Sequence, residues 1–456
     1  MTLRKYNRLM NRIKVSDEMQ DEILRDVELK RYEDVPEVVD RPSKRASGSS
    51  HRGPLAGILA VAIVVFALLF SGFLINTLQI SPLGWETDAA TGETKARKKS
   101  VISIFLRNQL AEESSVADNT KSLMTSIETP VTSDGFELPV AGSTGFASVD
   151  LSVSDASGNV MKQIPAGMGF TILRDDETSS TFWIRLQDGT EGSVPSLFVL
   201  VNLPDLIPSM VYNDTNSVSS IFMSSGVALP NVTGQQLYNA KFYNPRFERD
   251  EFVMPVLFPM AKKVMKVQQN VLKDGNTLVL IEAFRPHDTQ TLISTTLQQL
   301  SDSNQTVHEG LFHGSWTINW FIAKSWSNHQ RGCAVDVTLA RVNDVKYEKC
   351  GKYDYLNVTS YQEYEMPSAM HELSYIASPF DGPVDPNSKT AWQSVNPSPR
   401  ATSGSRLLQK YFTDQGMTPL ASEYWHFNDL DTRSATKANP SYGRYTLDGC
   451  YSIVPD

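Results

Sequence analysis

The feature that most constrains this chain is an uncharged apolar run of 22 residues near its beginning, residues 54–75. At a rise of about 1.5 Å per residue, a helix of this length spans roughly 33 Å, which is enough to cross the hydrocarbon core of a bilayer. A buried helix of a soluble domain would normally keep a polar face, and a cleaved signal peptide would not follow a long polar segment. The sequence therefore predicts one transmembrane helix, residues 54–76.

The charges on either side of this segment predict its orientation. Two acidic residues, Glu86 and Asp88, follow it, whereas four basic residues precede it with no acidic residue after position 40: Arg41, Lys44, Arg45 and Arg52. Because positive charge is retained on the cytoplasmic side, residues 1–53 are expected to be a cytoplasmic tail. A second basic cluster, residues 95–99, lies farther from the segment. We therefore expect a single-pass cell-membrane protein whose remaining residues are extracytoplasmic.

Net charge and cysteine content exclude two classes of protein. The formal net charge is −9, and no long basic block occurs away from the membrane segment. Nucleic acid is therefore not an expected partner. The 3 cysteines cannot form the disulfide framework of a small secreted domain. A single bridge between Cys350 and Cys450 is a hypothesis, and Cys333 is expected to be buried.

Composition and patterning divide the extracytoplasmic part into three regions. Residues 77–143 are rich in Ser, Thr, Glu and Ala, which is typical of a stalk. Residues 144–203 contain several short alternating apolar runs, and Asp188-Gly189 between two of them predicts a hairpin turn. This region is expected to be a small all-β barrel. Residues 204–456 mix helical and strand patterns, which predicts an α+β domain.

The barrel region resembles bacterial Src-homology-3-like domains. The resemblance is carried by a Gly-containing turn, a strand and a D-G-x-x-G pattern, at Trp183, Asp188, Gly189, Gly192 and Val194. Ser193 stands where an aromatic residue is usual in that family. The resemblance implies a wall-binding or spacer role for this region.

The candidate chemistry begins with the stretch S-N-H-Q-R-G-C-A-V-D, residues 327–336. His329 precedes a strand, and Asp336 lies inside that otherwise apolar strand. A carboxylate in this position is costly to bury unless it is paired or binds a metal. The alternative is a structural Asp with a loop His.

Two further segments carry candidate functional groups. In E-Y-W-H-F-N, residues 423–428, a regular strand would point Glu423 and His426 to opposite faces, so a shared site requires a bend at Glu423. The alternative there is a buried His bound to the backbone. In E-A-F-R-P-H-D, residues 282–288, Arg285 ends an apolar strand and could face a cleft, or it could form a surface salt bridge.

One segment imitates a zinc motif. In H-E-G-L-F-H, the histidines at 308 and 313 are five residues apart, whereas H-E-x-x-H places them four apart on one helical face. Because the stretch also contains Gly310, it is expected to be a loop without a metal.

Taken together and in this order, the three segments resemble the VanX-type D-alanyl-D-alanine dipeptidases and their D,D-carboxypeptidase relatives. The family pattern is R-P after a strand, then S-x-H-x-x-G-x-A-x-D, then E-x-W-H. The matching residues are Arg285, Pro286, Ser327, His329, Gly332, Ala334, Asp336, Glu423, Trp425 and His426. The resemblance covers nearly all of residues 204–456 and implies an α+β zinc D-Ala-D-Ala peptidase domain.

The resemblance also implies roles for the matching residues. One zinc ion per chain would be held by His329, Asp336 and His426, a set that leaves one coordination position open. Glu423 would be the general base for the attacking water. Arg285 would stabilise the developing oxyanion.

Three residues are expected to bind substrate by the same resemblance: Ser327, His371 and Glu372. His371 stands where the dipeptidases usually carry an Asp that reads the free amine, and the adjacent Glu372 could serve that amine instead. The expected partners are peptidoglycan or its D-Ala-terminated precursors. Three activities stay open: a dipeptidase, a carboxypeptidase that trims stem peptides, and a non-catalytic wall-binding protein.

Overall fold

The structure, a computed structural model, describes residues 137–212, 219–237 and 240–456. The predicted cytoplasmic tail, transmembrane helix and nearly all of the predicted stalk lie outside these residues. Within the described ranges, no helix combines the length and apolar character that a membrane span requires.

The first part of the described chain forms an antiparallel sheet. Its strands are β1 (Thr144–Ala147), β2 (Leu151–Ser154), β3 (Val160–Ile164), β4 (Gly169–Asp176), β5 (Thr181–Arg185), β6 (Glu191–Pro195) and β7 (Val199–Asn202). They pair in the order β7-β1-β4-β5-β6-β2-β3, and alternate side chains such as Phe170 and Ile184 are buried. The predicted hairpin turn at Asp188-Gly189 is confirmed, because it joins β5 to β6. Closure of this sheet into a barrel stays a prediction.

A strand from the following region extends this sheet. After β7 come the short elements α1 (Leu203–Leu206), β8 (Val211–Tyr212), β9 (Met223–Ser224), β10 (Val227–Ala228), β11 (Phe242–Asn244), β12 (Arg249–Glu251) and β13 (Pro255–Leu257). Strand β13 pairs with β7 in antiparallel register, with Val256 opposite Val201. Main-chain hydrogen bonds therefore cross the predicted domain boundary at residues 203–204.

The rest of the chain has mixed α and β content around a second sheet. Its larger elements are α2 (Phe258–Lys273), β14 (Asn276–Glu282), α3 (His287–Ser303), α4 (Gln305–Leu311), β15 (Ala334–Cys350), β16 (Tyr353–Glu363), α5 (Ser403–Thr413), β17 (Thr418–Leu420), β18 (Glu423–Asn428) and α6 (Leu430–Ala435). The sheet order is β17-β18-β15-β14-β8, and β16 also pairs with β15. The central strand β15 is antiparallel to both of its neighbours, β14 and β18.

One face of the second sheet is apolar because alternate residues of β15 point to it. Val335, Val337 and Leu339 are fully buried and pack in the same core as helices α2 and α5. The ring of Phe412 in α5 stacks on Phe427 of β18 at 4.1 Å between centroids. Burying each such side chain contributes about 1.5–3 kcal/mol, so this face anchors the sheet.

The opposite face of the same strands carries polar residues. Asp336 lies between Val335 and Val337 and therefore points away from the α2–α5 core. A second apolar cluster, centred on α3, includes Phe222, which stacks on the His371 ring at 4.2 Å. The polar face is thus enclosed by other segments of the chain and is not open to bulk water.

Two predicted elements differ from the structure. The pattern of residues 251–272 predicts a helix, but the helix begins only at Phe258, because Pro255–Leu257 pairs with the first sheet as β13. The H-E-G-L-F-H stretch is not a loop, since α4 includes His308 and is capped by the Asn304 side chain. Among the described residues, neither of its histidines belongs to a potential metal-binding group.

The hypothesis of a Cys350–Cys450 disulfide is wrong. All three cysteines lie in the described residues and carry free thiols, and Cys333 is fully buried as expected. The C-terminus is instead fixed by hydrogen bonds to the first sheet. Ile453 N donates to the Gly142 carbonyl at 2.8 Å, and Thr171 Oγ1 donates to the Tyr451 carbonyl at 2.6 Å.

Gly332, in the turn that leads into β15, joins the two sheets. Its carbonyl accepts a hydrogen bond from Leu257 N of β13 at 2.9 Å, and its φ is 67°. A Cβ atom at this position would lie 2.3 Å from Cδ2 of the fully buried Leu200. The left-handed backbone and the lack of space together explain the glycine at this position of the S-x-H-x-x-G-x-A-x-D motif.

Gly332→Ala is expected to lower the free energy of unfolding by about 1–3 kcal/mol more than Gly158→Ala. Both glycines have positive φ, so both variants carry the same kind of backbone strain, but Gly158 has no described atom within 4 Å of a new Cβ. Only Gly332→Ala overpacks a buried contact. Urea denaturation of the two variants measures the difference, and equal losses would contradict the steric explanation.

Candidate metal centre

Strand register places three ionisable side chains in one row across the second sheet. Glu282 of β14 is opposite Asp336 of β15, and Asp336 is opposite His426 of β18. Side chains that face one another across antiparallel strands share a face, with Cβ atoms roughly 4.5–5.5 Å apart. A register shift between Leu280 and Glu282 brings the Glu282 side chain into this row. All three residues are at least nine-tenths buried.

His329 reaches the same place from the turn before β15. The turn is closed by hydrogen bonds from Gly332 N to the His329 carbonyl at 3.1 Å and from Cys333 N to the Asn328 carbonyl at 2.8 Å. Ser327 Oγ accepts a hydrogen bond from His329 N at 3.2 Å. The segment that carries the S-x-H-x-x-G-x-A-x-D motif thus folds back, so that His329 lies close to Asp336.

One atom each of His329, Asp336 and His426 converge at this place. His329 Nε2 lies 3.1 Å from His426 Nδ1 and 3.3 Å from Asp336 Oδ1, and His426 Nδ1 lies 2.9 Å from Asp336 Oδ1. Zinc bound tetrahedrally at about 2.0–2.1 Å has ligand atoms about 3.3–3.4 Å apart. The triangle therefore has nearly the size that one zinc ion requires.

The outer nitrogens of both imidazoles are already engaged. His329 Nδ1 lies 2.7 Å from the Ala283 carbonyl, which can only accept, so the proton is on Nδ1 and the lone pair on Nε2. His426 Nε2 lies 2.9 Å from Asn428 Oδ1, which also accepts from Asn328 Nδ2 at 2.7 Å. Two lone pairs and a carboxylate oxygen thus face one another. Such a donor set fits a bound cation.

Glu423 lies at the edge of this triangle, with Oε2 3.7 Å from His426 Nδ1. The required bend is confirmed: pairing between β17 and β18 passes from Pro419–Phe427 directly to Leu420–Glu423. Burial, together with the negative charges of Asp336 and Glu282, raises the pKa of Glu423 to about 8. A carboxyl group with this pKa can both accept and release a proton near neutral pH.

Arg285 is buried and belongs to the same network, so the alternative of a surface salt bridge is wrong. Its Nε and Nη2 donate to the two carboxylate oxygens of Glu282, each at 2.7 Å, and its Nη1 donates to Gln290 Oε1 at 2.7 Å. Nη2 also lies 3.4 Å from Asp336 Oδ2. Burial alone would raise the pKa of Glu282, but the charge and hydrogen bonds of Arg285 outweigh it and lower that pKa.

The three expected substrate-binding residues have different surroundings. His371 is buried in the network, with Nε2 3.1 Å from Asp336 Oδ2. The Glu372 carboxylate faces the turn between β9 and β10, where it accepts hydrogen bonds from Ser225 N and from Gly226 N at 2.9 Å. It also accepts from the Ser374 hydroxyl at 2.6 Å. Ser327 is half-buried and supports the backbone of His329.

The described residues contain two groups that could hold a metal: His329, Asp336 and His426, and also Glu282, Asp336 and His371. In the second group Arg285 Nη2 already lies 2.7 Å from Glu282 Oε2 and 3.4 Å from Asp336 Oδ2. A guanidinium thus supplies the positive charge there. The first group is therefore the better candidate for a metal site.

Several residues that contact Asp336, His329, His426 or Arg285 are not among those predicted from the sequence. Glu282, at the end of an otherwise apolar strand, has the same signal that singled out Asp336. Asn428 follows His426 by two residues and therefore lies on the same strand face. Asn328 and Gln290 carry no comparable signal, because their roles depend on segments distant in sequence.

Comparisons with known proteins give no information on the function of this site. No protein-family model matches the chain, and no curated protein matches it. The metal centre therefore rests on the ligand triangle and on the order of the three motifs along the chain.

Asp336→Ala and His426→Ala are each expected to abolish stoichiometric zinc binding, whereas His308→Ala in the H-E-G-L-F-H stretch should leave it unchanged. The first two variants remove one of three ligands, while His308 lies on the surface of α4. Zinc content per chain, measured by atomic emission after dialysis, should be about one for the unaltered chain and for the control. Full zinc content in either ligand variant would contradict the assignment.

Proposed function

We propose that this chain is a zinc-dependent peptidase that hydrolyses the peptide bond next to D-alanine in peptidoglycan or its D-Ala-terminated precursors. The observation that carries the proposal is the convergence of His329 Nε2, Asp336 Oδ1 and His426 Nδ1 within 3.3 Å. The order of the three motifs, similar to the VanX-type dipeptidases and their carboxypeptidase relatives, supports the substrate class.

In this proposal three residues hold one zinc ion: His329, Asp336 and His426. When bound, zinc polarises the scissile carbonyl and makes water a better nucleophile. Glu423, 3.7 Å from the His426 ligand atom, takes a proton from the attacking water and later delivers a proton to the leaving amine nitrogen. Burial keeps the Glu423 carboxyl basic enough for the first step.

Arg285 contributes a fixed positive charge beside the reacting carbonyl. Four hydrogen bonds hold its guanidinium to Glu282, Gln290 and Asp336, so its position does not change during the reaction. A charge fixed in a buried site stabilises a developing oxyanion without reorganisation. Glu282 offsets part of that charge, so we expect a smaller contribution from Arg285 than from Glu423.

The proposed location follows from the predicted transmembrane helix, residues 54–76, and the charges around it. The catalytic region is then extracytoplasmic and attached to the cell membrane, where peptidoglycan is its available substrate. The first sheet, similar to bacterial Src-homology-3-like domains, would bind the wall or act as a spacer.

A second candidate activity, D,D-carboxypeptidase trimming of stem peptides, is favoured by the state of Glu372 and His371. Both carboxylate oxygens of Glu372 accept hydrogen bonds from the β9–β10 turn, and His371 Nε2 faces Asp336. Neither group is oriented to pair with a substrate ammonium. This arrangement suits a substrate without a free amine next to the scissile bond, as in a stem peptide ending in D-Ala-D-Ala.

The test is D-alanine release by the zinc-loaded, full-length chain from free D-Ala-D-Ala and from a stem pentapeptide ending in D-Ala-D-Ala. Glu423→Gln should lower the rate by roughly 10²–10⁴-fold with zinc content retained, because it removes only the proton carrier. Glu309→Gln, an exposed position on α4, is the matched control and should have full activity.

The two substrates separate the candidate activities. Release from the dipeptide alone would identify a dipeptidase, and release from the pentapeptide alone would identify a carboxypeptidase. Zinc binding without release from either substrate would overturn the proposal in favour of another bond or of a non-catalytic wall-binding protein.

A further inference from the structure

We propose that His371 is a positioning residue that fixes the carboxylate of Asp336 through its non-ligating oxygen. This inference rests on the metal centre of the proposed function. The two oxygens of Asp336 have separate surroundings: Oδ1 faces His329 Nε2 and His426 Nδ1, whereas Oδ2 lies 3.1 Å from His371 Nε2 and 3.4 Å from Arg285 Nη2. One oxygen is thus directed to the metal and the other to two donors of the protein.

Hydrogen-bond accounting determines which nitrogen of His371 carries the proton. Nδ1 is buried and has no hydrogen-bond partner in the part of the chain that the structure describes. A proton there would be an orphaned buried donor, which costs about 1–3 kcal/mol, and the Nε2 lone pair would then face a carboxylate. The proton therefore belongs on Nε2, which donates to Asp336 Oδ2.

The ring of His371 is held firmly enough to act as such a donor. It stacks on Phe222 at 4.2 Å with an interplanar angle of 4°, and it meets the edge of Trp425 at 6.0 Å. The His371 carbonyl accepts a hydrogen bond from Met223 N at 3.1 Å. Its φ of 57° is unfavourable for a residue with a side chain, and such strain persists only where the surroundings determine the conformation.

Loss of this donor would leave Asp336 Oδ2 with Arg285 at 3.4 Å, the longer of its two contacts. The carboxylate could then rotate, and the direction of the Oδ1 lone pairs would no longer be fixed. Removing a hydrogen-bonding partner of a metal ligand typically weakens metal affinity by roughly 10- to 100-fold. We expect an effect of this size for His371.

Two substitutions separate the donor from the packing of the ring. His371→Phe keeps a flat ring on Phe222 but has no donor, whereas His371→Gln loses the ring and retains an N–H at a similar reach. Both place a side chain at the same positive φ, so the backbone strain cancels in their comparison. Zinc affinity of the full-length chain is measured by competition with a chelator, and the visible spectrum of the cobalt-substituted protein reports the geometry at the metal.

His371→Phe should weaken zinc binding by roughly 10- to 100-fold and shift the cobalt bands, and His371→Gln should recover most of both. His313→Phe, at an exposed histidine that stacks on Tyr375, is the control and should match the unaltered chain. Two results would overturn the role of His371 alone, provided that the unaltered chain binds zinc tightly. One is unchanged zinc binding by His371→Phe, and the other is an equal loss of zinc binding in both variants. Absence of zinc binding by the unaltered chain would overturn the metal centre and this role with it.

Discussion

The rest of the centre depends on the burial of one carboxylate, Asp336, in the middle of an otherwise apolar sheet. Burial alone would raise the pKa of Asp336, but the adjacent histidines at 329, 371 and 426 hold it well below its ordinary value. Each of its oxygens has its own set of partners, and a further residue holds each partner in place. Ala283 holds His329 and Asn428 holds His426. Glu282 holds Arg285 and Phe222 holds His371. A buried charge is tolerable only with such complete compensation, so the surrounding segments must adopt one arrangement.

The two faces of strand β15 have different roles. The apolar face, with Val335 and Val337, packs in the core with α2 and α5 and gives the sheet its stability. The other face carries the polar row, and segments distant in sequence close over it. Because a slip of one residue in register would exchange the two faces, the apolar packing also fixes the position of Asp336. Stability and site geometry therefore depend on the same strand register.

Much of the centre could be predicted from the sequence, because its signals are local. An Asp in an apolar strand and a His in the preceding turn follow from residue type and period, and strand β18 begins and ends where the pattern indicates. The bend at Glu423 does not follow from the pattern, which predicts a regular strand, and is seen only in the pairing of β17 with β18. The hydrogen bonds of Glu372 with the Ser225–Gly226 turn, and of His371 with Asp336, could not be predicted in this way, because the partners lie far apart in sequence. The Cys350–Cys450 hypothesis failed for the same reason, since spacing carries no information on where the two thiols lie.

We propose that His329, Asp336 and His426 bind one zinc ion and leave a position open for water. X-ray absorption at the zinc edge of the full-length chain can test this coordination. We expect a four-coordinate ion with two imidazole nitrogens and oxygen ligands at about 2.0–2.2 Å, and no sulfur. Cys333, the thiol within the S-x-H-x-x-G-x-A-x-D motif, belongs to neither potential metal-binding group among the described residues. Sulfur scattering at about 2.3 Å, or a shell of oxygen atoms without imidazole, would show that these three residues do not form the zinc site.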